Sequence, residues 1–318
     1  MRLGWIDWAL VLFNAALVLT LLGSGRPRLW RRLRRLAVLL IQGAGVLAVT
    51  WFVVEAAAAS AARAGQSGVL TPADTALLTR PPEIILRSAL ELSLLTLGMA
   101  AAAALLAGLG GAIAVVSLQR RRLALLSPLA TLVWVAPTFL IALLVQELQA
   151  DVFGVTGLRV AAGFGEVNAL QILWVAFILA VRPTAYFFQS ARSALDLDTS
   201  TEYVRTARAK GLSWQEVVRR HIARANAALL VTAWLNALRT MIGSAPLVEF
   251  LFGYPGLGRV LILALGLTYA GGAGPVHPDV AIALVASLAL ILILIEATLG
   301  YLELRLDPRL RMASLAAR

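Results

Sequence analysis

The chain has 318 residues, 60% of them hydrophobic and only 14% charged, with a mean hydropathy of +0.84 and a formal net charge of +11. A soluble domain carries about 25% charged residues, so the composition points to an all-α polytopic membrane protein; its arginines cluster at the ends of apolar blocks, where they mark topology rather than a nucleic-acid surface. The absence of cysteine excludes disulfides, a thiolate nucleophile and Cys-ligated metal.

The first apolar block covers residues 5–22. A signal peptide places its positive charges before the apolar core; here Arg26, Arg28, Arg31, Arg32, Arg34 and Arg35 follow it. The block therefore reads as a retained span with its N-terminus outside. A second block, 36–59, runs outward and leads to the external loop "SAARAGQSGVLTPADTALLTRPPE". The third, 84–118, is too long for one untilted span and ends at "QRRR" on the cytoplasmic side. The fourth, 125–148, contains Pro128 and Pro137 as kink sites, and an external loop with Gly154, Gly157, Gly163 and Gly165 follows it. The fifth covers 169–189, the sixth 225–248 and the seventh 280–301. On this topology segments 26–35, 120–122, 192–224 and 305–318 face the cytoplasm and hold 20 of the 28 Lys and Arg residues, so every basic cluster falls on an alternate loop.

Between the fifth and sixth spans lies the basic island "STEYVRTARAKGLSWQEVVRRHIARAN". Thr199 with Glu202, and Ser213 with Glu216, each have the spacing of a capping box, in which a hydroxyl accepts a backbone N–H and a carboxylate reaches back. Gly211 between them suits the left-handed residue that ends a helix. The island thus reads as a helix over 200–210, a glycine turn and a second helix from Ser213 that runs toward the sixth span. Such a pair makes a docking knob, whereas a solvated basic loop would serve topology alone.

Ionisable residues inside spans mark functional positions because burying them is expensive. Arg87 and Glu91 stand one helical turn apart, with the spacing of a pair. Glu147, Arg182 and Glu249 lie near span ends, where they can snorkel to the interface. Arg239 and Glu296 lie deeper and are the candidates for a cavity or an inter-subunit contact. "GYPGLGR", with Gly253, Tyr254, Pro255, Gly256 and Gly258, reads as a re-entrant, scoop-like external element, since irregular backbone near a membrane needs protein or water to satisfy it. His221 and His277 fall on opposite sides and read as surface residues rather than ligands.

The island resembles the EAA loop of ABC-importer permeases, and most closely that of the B-type permeases of the dipeptide, oligopeptide and nickel importers. The run "YVRTARAKGL" (203–212) carries the likeness, together with "FGYPGLGRVL" (252–261) and "LDPRLR" (306–311). "WRRLRRLAVLLIQGAGVLAVTWFV" is similar to the family's usual start, which makes residues 1–25 an extra N-terminal transmembrane helix. Residues 26–318 are then a six-span permease core of the type I importer fold, about seven spans in all, with the coupling loop at 193–224. Two features depart from the family: "ARANAALLVTA" lacks the proline that often follows the loop, and the first external loop is short.

The resemblance implies a permease subunit of an ATP-driven importer in a prokaryotic plasma (inner) membrane, its N-terminus outside and its loop and C-terminus cytoplasmic. It implies half of a translocation pathway for peptides. Nickel or a metal–chelator complex is the alternative cargo, and a stand-alone secondary transporter the alternative class. The chain itself is then no enzyme and binds no cofactor; ATP and magnesium belong to two cytoplasmic ATPase subunits. A second, C-type permease and an extracytoplasmic binding protein complete the assembly in the bilayer, with no nucleic acid. Within the loop the resemblance assigns ATPase coupling to Glu202, Tyr203, Arg205, Ala207, Arg208, Lys210, Gly211, Leu212, Ser213 and Glu216. Tyr203, Ala207 and Leu212 would give apolar contact, and Arg205, Arg208 and Lys210 would pair with acids of the ATPase.

Overall fold

A computed structural model describes residues 78–118, 125–157, 167–267 and 276–306, and every described element is helical apart from turns. The helices are α1 (Pro82–Leu118), α2 (Leu126–Val135), α3 (Thr138–Thr156), α4 (Ala169–Leu197), α5 (Glu202–Ala209), α6 (Trp214–Glu216), α7 (Ala223–Ala225), α8 (Ala227–Leu251), α9 (Leu257–Ala264) and α10 (Pro278–Leu306). A π-helical segment, Val217–Ile222, joins α6 to α7. The spans expected over 5–22 and 36–59, and the extra N-terminal helix with them, lie outside the described residues.

Pro82 opens α1, where its missing N–H costs nothing, and Glu83 lies in the first turn beside the positive end of the helix dipole. At 37 residues the helix is about 55 Å long, so the third block forms one unbroken rod longer than a bilayer core. The fourth block is not one kinked helix. It breaks into α2 and α3 at Ala136–Pro137, because Pro137 offers no N–H to continue the ladder and both residues are extended. Pro128 sits in the first turn of α2 and kinks nothing. Gly154, assigned above to a loop, lies inside α3, which ends at the left-handed Gly157. The fifth block also runs further than its apolar stretch, reaching Leu197.

Among the described residues four helices, α1, α3, α4 and α10, are long and apolar enough to cross a membrane. α8 has 25 residues but lacks that composition, for a reason that becomes clear at its exposed face. The chain divides into two compact units. In one, made of the described parts of 78–88 and 260–294, the N–H of His277 donates to the carbonyl of Ala264 and starts α10 directly from the end of α9 (2.8 Å). The other, 89–259 with 295–306, holds the large core. There Ala112, Val115 and Val116 of α1, Phe187, Phe188, Ala191 and Leu195 of α4, and Ala233 and Ala237 of α8 pack with Val204, Ala207, Val217, Val218 and Ile222 of the loop. α1 and α4 approach closely because Gly108 lies against Phe187 and Gly111 against Phe188.

Candidate functional site

The loop between α4 and α8 is a structured knob seated on the core. Its hydrophobic residues explain the seat: in α5 only Val204 and Ala207 are buried, while the remaining residues face outward. Gly211 adopts φ +83° and turns the chain, a conformation that costs about 1 kcal/mol or more for a residue with a Cβ. Beyond it Ser213 caps α6 with a complete capping box: its hydroxyl accepts the Glu216 N–H (3.4 Å), and its own N–H donates to the Glu216 carboxylate (3.2 Å). Hydrogen bonds from the Ser213 side chain and backbone hold the Glu216 carboxyl below its ordinary pKa.

The first expected box does not form. α5 starts later, with Thr201 at the N-cap and no side-chain cap. Thr199 and Thr201 instead turn their hydroxyls back to the carbonyls of Asp196 (2.8 Å) and Asp198 (2.7 Å), closing the turn that leaves α4. Asp198 is the residue that sequence reasoning missed. Its carboxylate accepts from the Tyr203 hydroxyl (2.8 Å) and from the side-chain amide of Asn226 (2.8 Å), so it ties α5 to the junction that opens α8. Burial, followed by the bond to Asp198, pushes the Tyr203 phenol up to about 12. Asn226, buried, also donates to the Ile222 carbonyl and stands at the turn between α7 and α8.

Trp214 was also missed. Its indole N–H donates to the Val116 carbonyl near the end of α1 (2.9 Å), and the Arg208 guanidinium lies 5.7 Å from its ring centre. Glu202 and Arg205 pair at 3.5 Å on the open surface. With Arg208, Lys210, Gly211 and Ser213 they form the outward face of the knob. Ala207 is buried in the chain's own core and Leu212 is half covered by it. Of the three apolar residues expected to give contact, Tyr203 stands exposed, Leu212 is half-exposed and Ala207 is turned into the chain's own core.

At the other end of α8 the "GYPGLGR" turn folds around Glu249. That residue was expected to snorkel; it is fully buried. Its carboxyl oxygens accept the Ser93 hydroxyl of α1 (2.6 Å) and the Gly258 N–H (2.7 Å), while Ser93 accepts the Leu257 N–H (2.8 Å). These contacts satisfy the open N–H groups that begin α9. A Cβ on Gly256 would overlap the Glu249 carboxyl, and one on Gly258 would overlap Pro246. Tyr254 is buried, with its hydroxyl donating to the Leu92 carbonyl (3.0 Å), and Arg259 donates to the Gly253 carbonyl. Gln146 of α3 and Gln171 of α4 donate to the carbonyls of Leu251 (2.6 Å) and Phe252 (2.8 Å), capping the end of α8. Arg182 likewise does not snorkel: it donates to the Trp134 carbonyl (3.1 Å) near the end of α2 and stacks on that indole. Glu147, Arg87 and Glu91 are exposed, the latter two one turn apart on α1.

The exposed face of α8 explains its composition. Ala233, Leu235, Ala237, Leu238, Met241, Ile242, Ala245, Val248 and Glu249 are buried. Opposite them Thr232, Asn236, Arg239, Thr240 and Gly243 share one helical face and stay open or half-open. At the middle of this polar stripe Arg239 meets Glu296 of α10 (2.8 Å) and donates to the side-chain Oδ1 of Asn236 (3.0 Å). The two residues singled out separately in the sequence are thus one ion pair, with the Arg239 side chain 46% exposed and Glu296 21%. A charged pair at this depth faces water or protein rather than lipid.

Residues 104–312 match the family described as binding-protein-dependent transport system inner membrane component. Among similar curated proteins is the di/tripeptide transport system permease protein DppB of Pseudomonas aeruginosa (strain UCBPP-PA14), 36% identical over 95 residues, which are 30% of this chain and 28% of that protein. The dipeptide transport system permease protein DppB of Escherichia coli (strain K12) is 38% identical over 90 residues, 28% of this chain and 26% of its own. The oligopeptide transport system permease protein AmiC of Streptococcus pneumoniae (serotype 4, strain ATCC BAA-334 / TIGR4) is 42% identical over 71 residues, 22% of this chain and 14% of its own. The chain therefore spans less than a third of the length of each of these relatives.

Proposed function

The chain belongs to the binding-protein-dependent transport system inner membrane components, and from that membership we propose that it is the permease subunit of an ATP-driven importer forming half of a translocation pathway for peptides. The observation that carries this reading is the polar stripe of α8. A helix whose apolar face is buried in its own bundle and whose open face presents Asn236, Arg239, Thr240 and Gly243 belongs beside water or a partner permease. Peptide as cargo is supported by the names of the DppB and AmiC relatives.

In this reading the α5–Gly211–α6 knob is the cytoplasmic coupling element. Glu202, Arg205, Arg208 and Lys210 meet a nucleotide-binding subunit, and the core beneath them transmits its movement to α4 and α8. The Tyr203–Asp198–Asn226 tie makes knob and α8 move together. The Glu249-centred turn with Gly253, Tyr254, Pro255, Gly256 and Gly258 stands at the external end, where a binding protein would release its cargo. ATP and magnesium act in the partner ATPases, and a second permease supplies the other half of the pathway.

The test is uptake of a radiolabelled dipeptide into proteoliposomes that contain the chain with its partner permease, ATPases and binding protein. Uptake should require ATP and every subunit. Transport by the chain alone, without ATP, would assign it to the secondary transporters instead.

A further inference from the structure

Between α5 and the π-helical segment the knob bears a wide, open groove of about 600 Å³, lined by Tyr203, Arg220, His221, Arg224 and Ala225. The outward face of α5 assigned above to ATPase coupling contributes only Tyr203 to it. The π-helical segment spans Val217–Ile222; by widening the turn, it buries Val217, Val218 and Ile222 while Arg219, Arg220 and His221 all remain outside. Arg220 and Arg224, about one turn apart, reach the same concavity.

Two arginines and a histidine line this groove, and the nearby Glu216 carboxylate attracts Arg220 without forming an ion pair with it. Among the described residues no ion pair involves Arg220, His221 or Arg224. The Glu216 carboxylate, four residues before Arg220, is engaged by the N–H and hydroxyl of Ser213. Asp198, behind Tyr203, is engaged by the tyrosine hydroxyl and by Asn226. An anion with several acceptor oxygens therefore finds two guanidiniums and an imidazole with free donors. The Tyr203 ring and the Ala225 methyl add an apolar wall.

Position decides the source of that anion. Ala225 is two residues from the start of α8, so the groove opens where the chain leaves the polar loop for its helix through the bilayer. Headgroups lie at that level, and basic clusters immediately cytoplasmic of a span meet anionic lipid. We propose that Arg220, His221 and Arg224 bind the phosphate of an anionic phospholipid headgroup, with its glycerol against Tyr203 and Ala225. The site would anchor the knob to the inner leaflet beside its coupling face. It rests on the placement of α8 in the membrane and is independent of which cargo the chain carries.

The experiment presents the detergent-purified full chain with phosphatidylglycerol, with phosphatidylcholine and with inorganic phosphate, and counts retained molecules by native mass spectrometry. Phosphatidylglycerol should be retained, phosphatidylcholine should not, and inorganic phosphate should fail to displace the lipid. The double variant Arg220→Gln/Arg224→Gln should retain it about thirtyfold more weakly, as expected for two arginines at an anionic surface. Each single variant should give about a fivefold loss, which keeps the test decisive if the double variant is unstable. Equal retention of both lipids, or undiminished retention by the variants, would overturn the proposal. Displacement by inorganic phosphate would overturn it in favour of a soluble anion, and loss of the lipid on assembly with the ATPase subunits in favour of a protein partner.

Discussion

Glu249 shows how much one buried side chain can organise. It collects the Ser93 hydroxyl and the Gly258 N–H, so deleting it strands two buried donors, each at about 1–3 kcal/mol. Glu249→Ala should lower stability by ~3 kcal/mol, and Glu249→Gln by less because an acceptor oxygen remains. Gly256→Ala should also destabilise, since its Cβ has no room, whereas Gly243→Ala, with open space around it, should be near neutral. Thermal unfolding in detergent ranks the four variants; a Gly256→Ala protein as stable as Gly243→Ala would contradict the described turn. In the knob two groups set opposite pH limits. The Glu216 pKa is lowered on folding, so its contribution is present above the ordinary carboxyl range and is lost as pH falls through the lowered value. The Tyr203 phenol is pushed up to about 12, so its contribution is full below its ordinary value and is lost as pH rises toward 12. Hydrogen exchange at the Ser213 N–H should lose protection on acidification, beyond the intrinsic pH trend, and Glu216→Gln should remove that extra loss. A wild-type knob whose protection ignores acid would contradict the capping box.

At the scale of elements, the knob depends on its seat more than on its helical propensity, since α5 has only 8 residues and isolated helices that short are marginal. Trp214→Ala removes the bond to Val116 and the contact with Arg208. It should cost ~2–4 kcal/mol and loosen the loop, whereas Gly211→Val, strained at its positive φ but free of clashes, should leave the bundle intact at ~2 kcal/mol. Both should raise ATP hydrolysis relative to peptide uptake. Tight coupling retained in both would remove the loop from the coupling role. The glycine turn and the second capping box were legible because they are local, decided by residues within one turn. The seat was not. Asp198 binds Asn226 across 28 positions, Trp214 reaches Val116 across 98, and Glu249 reaches Ser93 across 156; hydropathy and spacing carry no signal for such partners. The same limit explains why Ala207 read as surface and Glu249 as snorkelling. Apolar block length, by contrast, did place α1, α4 and α10, and Pro137 marked the break in the fourth block although not its completeness.

At the scale of the whole molecule, the account rests on the open face of α8. The apolar helices can meet lipid: α10 exposes Leu290 and Leu294, as a peripheral span should. On α8 Arg239 and its polar neighbours interrupt the exposed face midway, between the exposed Leu229 and Leu247, and disfavour lipid there. The pairing of Arg239 with Glu296 (2.8 Å) ties the end of α10 that carries Glu296 to that face. The chain has no cysteine, which allows single cysteines to report water access without background. The decisive measurement is labelling of cysteines at Asn236, Thr240 and Gly243, against Leu290 and Leu294, by a water-soluble maleimide in the assembled transporter. The account predicts that the α8 positions label and that ATP changes their rates, while the α10 positions stay unlabelled. Unlabelled α8 positions beside reactive Leu290 and Leu294 substitutions would show that the pathway does not run along α8.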